Sequence, residues 1–402
     1  MSIIRTYTIG TVTEALRVLA FAALALDAHA APYVPKGDSV VLEHLPVRPS
    51  DPVARELRQL RTELAANPHR RDTAIRLAER YFALANAEGD PRYVGYAQAV
   101  LKPWWGMAAP PLDALVMRAI LKQYSHDFYG AMQDLRAATN EDPENARAWS
   151  WRAAIDMVQA NYEQARKDCL ALKGIADDLY AVGCLAYLDG TTGKAAAAYR
   201  SLSEAFARSG EDSPEMRVWV LTRLAEMSLR MGNAKQAEEH FRAAHLEPIN
   251  DQFLLGAYSD FLLDQGRPGE VIPLLADWFK SDILLLRLAI AEKALKAPKA
   301  GEHIEALRSR FEAAALRGDK LHQQEEARFN LTLLGNKEKA LALAQENWKL
   351  QREPRDARIL LEAALAMKNP DAAKDALEWL DRTGHEDPGL RATAQKLRAL
   401  RP

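Results

Sequence analysis

The segment Gly190-Thr191-Thr192-Gly193-Lys194 comes nearest in this sequence to a phosphate-cradling loop. Such a loop needs a glycine at its start, a lysine for the phosphates and a strand leading into it. Leu188 stands where the first glycine belongs, and the flanking pattern is helical on both sides. The segment therefore reads as a turn between helices. Metal chemistry has no better footing. His303, His322 and His385 are scattered, His240 and His245 are five apart on different sides of a helix, and Cys169 and Cys184 lack ligand spacing. His322 and Glu326 read as a surface contact one helical turn apart, and His126 as a capping or core histidine. GxSxG and HExxH are both missing. The residues point to no catalytic group, metal or cofactor, hence to a non-catalytic protein.

Charge narrows the partners. Fifty-three Lys and Arg against 55 Asp and Glu give a formal net charge of -2, which is no footprint for nucleic acid. The arginines at 55, 58, 61, 70 and 71 read as a solvated helix face. The two cysteines fall on consecutive helices, so a bridge is conceivable in an oxidising compartment. The offset of Cys169 toward an internal face and Cys184 toward the opposite side favours two thiols, with the Cα separation deciding.

The elements that position these residues are short amphipathic helix pairs. Between Asn140 and Leu172, Pro143 marks a loop with Asp142 and Asn145 as turn or N-cap residues. Trp149, Arg152, Ala153 and Asp156 stripe one helix, Asn161-Tyr162 turns, and Ala165 and Cys169 stripe the next. Helices this short are marginal alone and need stacked neighbours. The same frame recurs upstream at Leu115, Arg118-Ala119, Ala131 and Leu135. It recurs downstream at Leu179, Val182-Gly183, Ala195 and Tyr199, then at Leu221, Leu224-Ala225, Ala237 and Phe241. A looser copy runs from Leu255 through Tyr258 to Leu275.

This frame resembles the tetratricopeptide repeat (TPR) signature, W-x2-L-G-x2-Y followed by A-x3-F and P, from about Arg71 to Pro388. Trp149, Ala153, Ala165 and Cys169 take its places, while Arg152 and Asp156 depart from it. The resemblance implies an all-α fold, a right-handed α-solenoid of stacked antiparallel helix pairs, each touching only its neighbours. It also implies a concave face lined by the first helix of each pair. The inward positions are then Val116, Ile120, Gln123, Tyr124, Ser150, Ala154, Met157, Tyr180, Cys184, Tyr187, Trp219, Thr222, Glu226, Phe253 and Asp260. Of these, Tyr124, Tyr180, Tyr187, Trp219 and Phe253 are the expected contacts for an apolar or helical segment of a protein partner.

Around the repeats the chain divides further. Arg5 and Arg17, the apolar run Val18–Leu26 and Ala28-His29-Ala30 make residues 1–30 a secretory signal. The expected product is a periplasmic or secreted protein of the exported bacterial type, with no integral membrane segment after cleavage. Residues 31–52 are a proline-rich leader that could itself lie in the groove, and 53–110 hold a degenerate repeat and the loop KPWWGMAAPP. Trp104 and Trp105 in that loop either plug the core or offer an apolar ledge to a ligand. Repeats fill 111–251, with a hinge expected at Ser209–Pro214. Degenerate copies fill 252–402, with Leu284–Ile290 sandwiched and a terminal helix from Leu390 capping an open end. The alternative function is an accessory subunit of an envelope enzyme or export complex that binds a glycan or metal.

Overall fold

The computed structural model describes residues 51–211, 213–319 and 321–400. The expected signal and most of the leader lie outside them. A compact unit begins at Glu56 and takes in the remainder of the chain. Among the described residues it is helical throughout, apart from one isolated bridge between Lys173 and Ala176.

The chain enters through α1 (Pro52–Ala66), α2 (Arg71–Glu88), α3 (Arg92–Val100) and the single turn α4 (Lys102–Trp105). Regular pairs follow: α5 (Leu112–Tyr124) with α6 (Phe128–Glu141), α7 (Ala146–Val158) with α8 (Tyr162–Ala171), and α9 (Asp178–Thr191) with α10 (Ala195–Ser209). Next come α11 (Pro214–Arg230) with α12 (Ala234–His245), and α13 (Gln252–Asp264) with α14 (Pro268–Leu275). The second half continues with α15 (Asp282–Leu295), α16 (Ala300–Leu316), α17 (Gln323–Phe329), α18 (Lys337–Leu350), α19 (Pro354–Ala366), α20 (Lys374–Thr383) and α21 (Pro388–Arg398). The two helices of each pair pack antiparallel and each pair stacks on the next, an α-solenoid. Asp127, Asn145, Ser213, Asn233 and Asp251 accept a first-turn N–H at the starts of their helices, satisfying donors that a helix end otherwise leaves open.

Arg152, which departs from the repeat signature, proves to be part of the frame. Arg152 of α7 forks onto Asp168 of α8 at 3.0 and 3.2 Å, lies 4.3 Å over the Trp149 ring, and both partners are buried. Arg118 of α5 makes the same fork onto Asp134 of α6 at 2.7 and 2.8 Å. In each pair the partners stand 16 residues apart, and the Arg152–Asp168 pair repeats the Arg118–Asp134 pair one repeat length further on. Arg118 also donates to the carbonyls of Trp105 and Met107, both at 2.8 Å, which fixes the tryptophan loop. Trp104 is buried beneath it. This corrects the ledge reading for Trp104, whose ring fills core.

The cysteines correct another expectation. Cys169 and Cys184 form a disulfide, with Cα atoms 5.5 Å apart, tying α8 to α9. The hinge at Ser209–Pro214 is likewise bridged. One cluster of buried side chains, from Leu179 and Leu202 to Val220 and Met227, runs across that turn. Leu284, Leu285, Leu286 and Leu288 are buried, as their continuous apolar run requires.

The largest departure lies at long range. The unit does not stay one-dimensional, because its C-terminal helices return to the concave side of the N-terminal ones. The Trp379 indole N–H donates to the Tyr162 hydroxyl at 2.9 Å, and its ring stacks edge-on against Trp348. The Arg352 amide donates to the Val158 carbonyl at 2.7 Å, and the Ala195 amide, an orphan donor at the start of α10, donates to Glu386 at 2.7 Å. The His385 ring meets the Thr191 carbonyl at 2.9 Å. Further up, Gln252 donates to the carbonyls of Ala85 and Asn86. Gly193 explains how the backbones approach. It holds φ +80°, and a Cβ there would lie 2.9 Å from the Gly384 carbonyl. The segment that suggested a phosphate loop is thus a seam against α20, and Arg391 of α21 donates to the Gly384 and His385 carbonyls beside it.

Candidate functional site

Because the unit closes on itself, its concave face is an interior lumen. One chamber of about 450 Å³ lies between α5, α7, α9, α11 and α13 on one side and the segments around His322–Glu325 and Gln351–Asp356 on the other. A second stretch of about 1480 Å³ shares Tyr124, Trp219, Arg223, Phe253, Ile283, His322 and Arg355 with it and runs on toward Asp260, Arg358 and His385.

All five aromatic positions expected from the sequence, Tyr124, Tyr180, Tyr187, Trp219 and Phe253, line the first chamber. Gln123, Ser150, Ala154, Met157 and Cys184 line it with them, and Glu226 and Asp260 face the second stretch. Val116, Ile120 and Thr222 do not; they are buried in helix contacts. Neither Trp104 nor Trp105 borders either space. The aromatic rings are held firmly. Trp219 stacks with Tyr180 at 6.4 Å between centroids and lies over Gly183, where any Cβ would collide with it. Arg223 of α11 is sandwiched, its guanidinium carbon 4.2 Å from the Phe253 ring and 4.7 Å from that of Tyr187, an arrangement that pairs charge with ring quadrupoles.

Sequence reasoning missed the opposite side of the chamber. His126, at φ +59°, meets Gln351 at 3.3 Å. His322 faces Glu325 at 3.9 Å, while Glu326 binds Lys339, so the expected His322–Glu326 contact is replaced by two others. Glu353 accepts from Arg355 at 2.7 Å and receives the Tyr187 hydroxyl at 3.4 Å. Glu353 and Asp356 form a reciprocal capping box at the start of α19. Glu353 sits 166 residues from the Tyr187 it meets and Gln351 225 residues from His126, so no local periodicity exposes these contacts.

Electrostatics follow from this enclosure. Burial, with Glu353 beside it, pushes the Asp356 carboxyl up to about 7. Burial raises the Tyr187 phenol, with Glu353 adding to it. Burial draws His126 down to about 4. Further along the lumen, Asp260 is desolvated, which alone would raise it, yet Arg287 and Arg328 at 2.6 Å each hold it well below the usual carboxylate range. Among the described residues no group of three His, Cys, Asp or Glu is arranged to hold a metal, and no helix is long and apolar enough to cross a membrane. What the lumen offers is an aromatic side, an arginine-rich shelf and a carboxylate rim.

No family model matches the chain, and no curated protein matches it. Similar solved structures include the TPR domain of P58(IPK), 15% identical over 87% of this chain and 98% of that one, with a TM-score of 0.22. Another is yeast Tom70, 12% identical over 86% and 96%, with a TM-score of 0.29. At such scores the likeness carries nothing about partners or activity.

Proposed function

We propose that the protein is a non-catalytic interaction scaffold that takes an apolar or helical segment of a protein partner into its lumen. One observation carries this reading. Aromatic side chains from Tyr124 to Phe253, supplied by four different helices, converge on a single chamber that also holds hydrogen-bonding groups along its rim. Buried aromatic anchors ringed by polar groups are what a peptide-binding surface uses. The chamber of about 450 Å³ opens into the second stretch of about 1480 Å³, so the lumen has room for the apolar or helical segment expected from the sequence.

A cell-envelope location belongs to the same proposal. Its support is the signal-like residues 1–30 together with the Cys169–Cys184 bridge, which suits an oxidising compartment. Amino-terminal sequencing of the protein recovered from a secreting host tests it: a start at Ala31 supports export, and an intact Met1 in the cytosol refutes it.

Panning the folded protein against a library of short peptides tests the binding function. Binders rich in aromatic and aliphatic residues should weaken at least tenfold with Trp219→Ala or Tyr187→Ala while circular dichroism stays unchanged. Binding indifferent to both substitutions would overturn the assignment. A second reading, a small ligand held alone, is favoured by a chamber volume within the range of small-molecule sites, about 300–1,000 Å³.

A further inference from the structure

We infer that the lumen contains an oxyanion-binding site centred on Arg230. Helix α11 turns Arg223, Glu226 and Arg230 toward the second stretch of the lumen, at spacings of three and four residues. Glu226 accepts from Arg223 at 2.8 Å. Arg230 is only 8% exposed and makes no ion pair or hydrogen bond with any described residue, and its Nη1 is fully buried. That nitrogen packs over Gly190, where a Cβ would come within 3.2 Å of it.

A guanidinium cannot relieve this by losing its proton, and a buried charge without a partner is strongly unfavourable. The carboxylates on the surrounding elements are engaged elsewhere. Glu353 serves Arg355 and Tyr187, Asp387 accepts the Leu390 amide at 2.8 Å, and Glu386 accepts the Ala195 amide at 2.7 Å. Arg391 adds no compensation, since it is a cation already bound to the carbonyls of Gly384 and His385. His385 is fully buried, with Nδ1 on the Thr191 carbonyl and Nε2 unpartnered. Burial and the nearby Arg230 charge keep its ring neutral down to about 3. Nδ1 therefore donates and Nε2 is an acceptor.

The missing partner is an anion supplied from outside the chain. Monohydrogen phosphate suits both orphans in kind: an oxyanion for Arg230 and a hydroxyl for His385 Nε2. A carboxylate would answer Arg230 alone. The site stands whether the lumen's main occupant is a peptide or a small molecule.

The experiment is a thermal melt of the full chain in chloride, with inorganic phosphate or acetate titrated at matched ionic strength, for wild type and Arg230→Met. Wild type should gain several degrees in Tm, saturably, with phosphate. Arg230→Met should melt higher than wild type in chloride and show no anion-dependent gain. A gain with acetate alone assigns the site to carboxylates. No saturable gain with either anion, or an equal gain in the variant, overturns the inference. Should Arg230→Met not fold, the ¹⁵N shift of His385 Nε2 in wild type decides: it moves on phosphate addition if the site exists, and stays still if it does not.

Discussion

The two sides of the lumen are built from the same kind of helix pair but obey different rules. The N-terminal side, α5 to α11, keeps the repeat frame closely, and its inward residues follow from spacing alone. The C-terminal side, α17 to α21, has drifted from that frame. Its drift falls on the residues that meet the first side: Gln351, Glu353, Trp379 and His385 all contact partners well over 150 residues away. A repeat unit that touches only its neighbours can stay regular. One that must also dock across the lumen carries side chains the signature does not specify.

If this contrast is right, damage at the seam should loosen more than the unit it strikes. Trp379→Ala removes a fully buried ring and is expected to cost about 3–5 kcal/mol. Guanidinium unfolding should show the loss across the whole transition; a small early step confined to the C-terminal end would separate the two sides. Asp168→Ala tests the regular side by leaving Arg152 as an uncompensated charge, also about 3–5 kcal/mol. The double replacement of Arg152 and Asp168 by Met and Leu should recover most of that loss. Reducing the Cys169–Cys184 bridge opens a loop of 15 residues and should cost about 3 kcal/mol, read from urea midpoints with and without reductant. Gly193→Ala forces a side chain into the left-handed region against Gly384, at about 1–2 kcal/mol from backbone strain alone.

A further effect concerns acid. The folded-state pKa of His385 is lowered to about 3, so the stability that its neutral ring carries is complete above the ordinary value of 6.5. It is lost as pH falls through that window, because the unfolded chain takes up the proton first. His385→Asn lacks this loss, so the stability gap between wild type and variant should narrow between pH 7 and about 4.5. A constant gap would place His385 outside the seam.

Much of this molecule was legible in its sequence, for a physical reason. Helix pairs that bury one stripe impose a local period, and that period located the pairs and brought Tyr124, Tyr180, Tyr187, Trp219 and Phe253 to one surface. It also held the Arg118–Asp134 and Arg152–Asp168 forks, whose common spacing was visible although Arg152 looked like an exception. Closure was not legible. It depends on the pitch that accumulates over many slightly rotated pairs, so nothing local to Gln351 or His385 announces what they face. The disulfide falls between these cases: its spacing was plain, but the rotation that brings Cys184 to Cys169 was not.

Closure is tested most directly by amide hydrogen exchange at Ala195 and Arg352, whose N–H groups donate across the seam to Glu386 and to the Val158 carbonyl. A closed lumen predicts that both amides are protected as strongly as the interior of α9 and α19 and lose that protection together in Trp379→Ala. Fast exchange at both, with the flanking helices still protected, would mean an open solenoid and contradict the enclosed site.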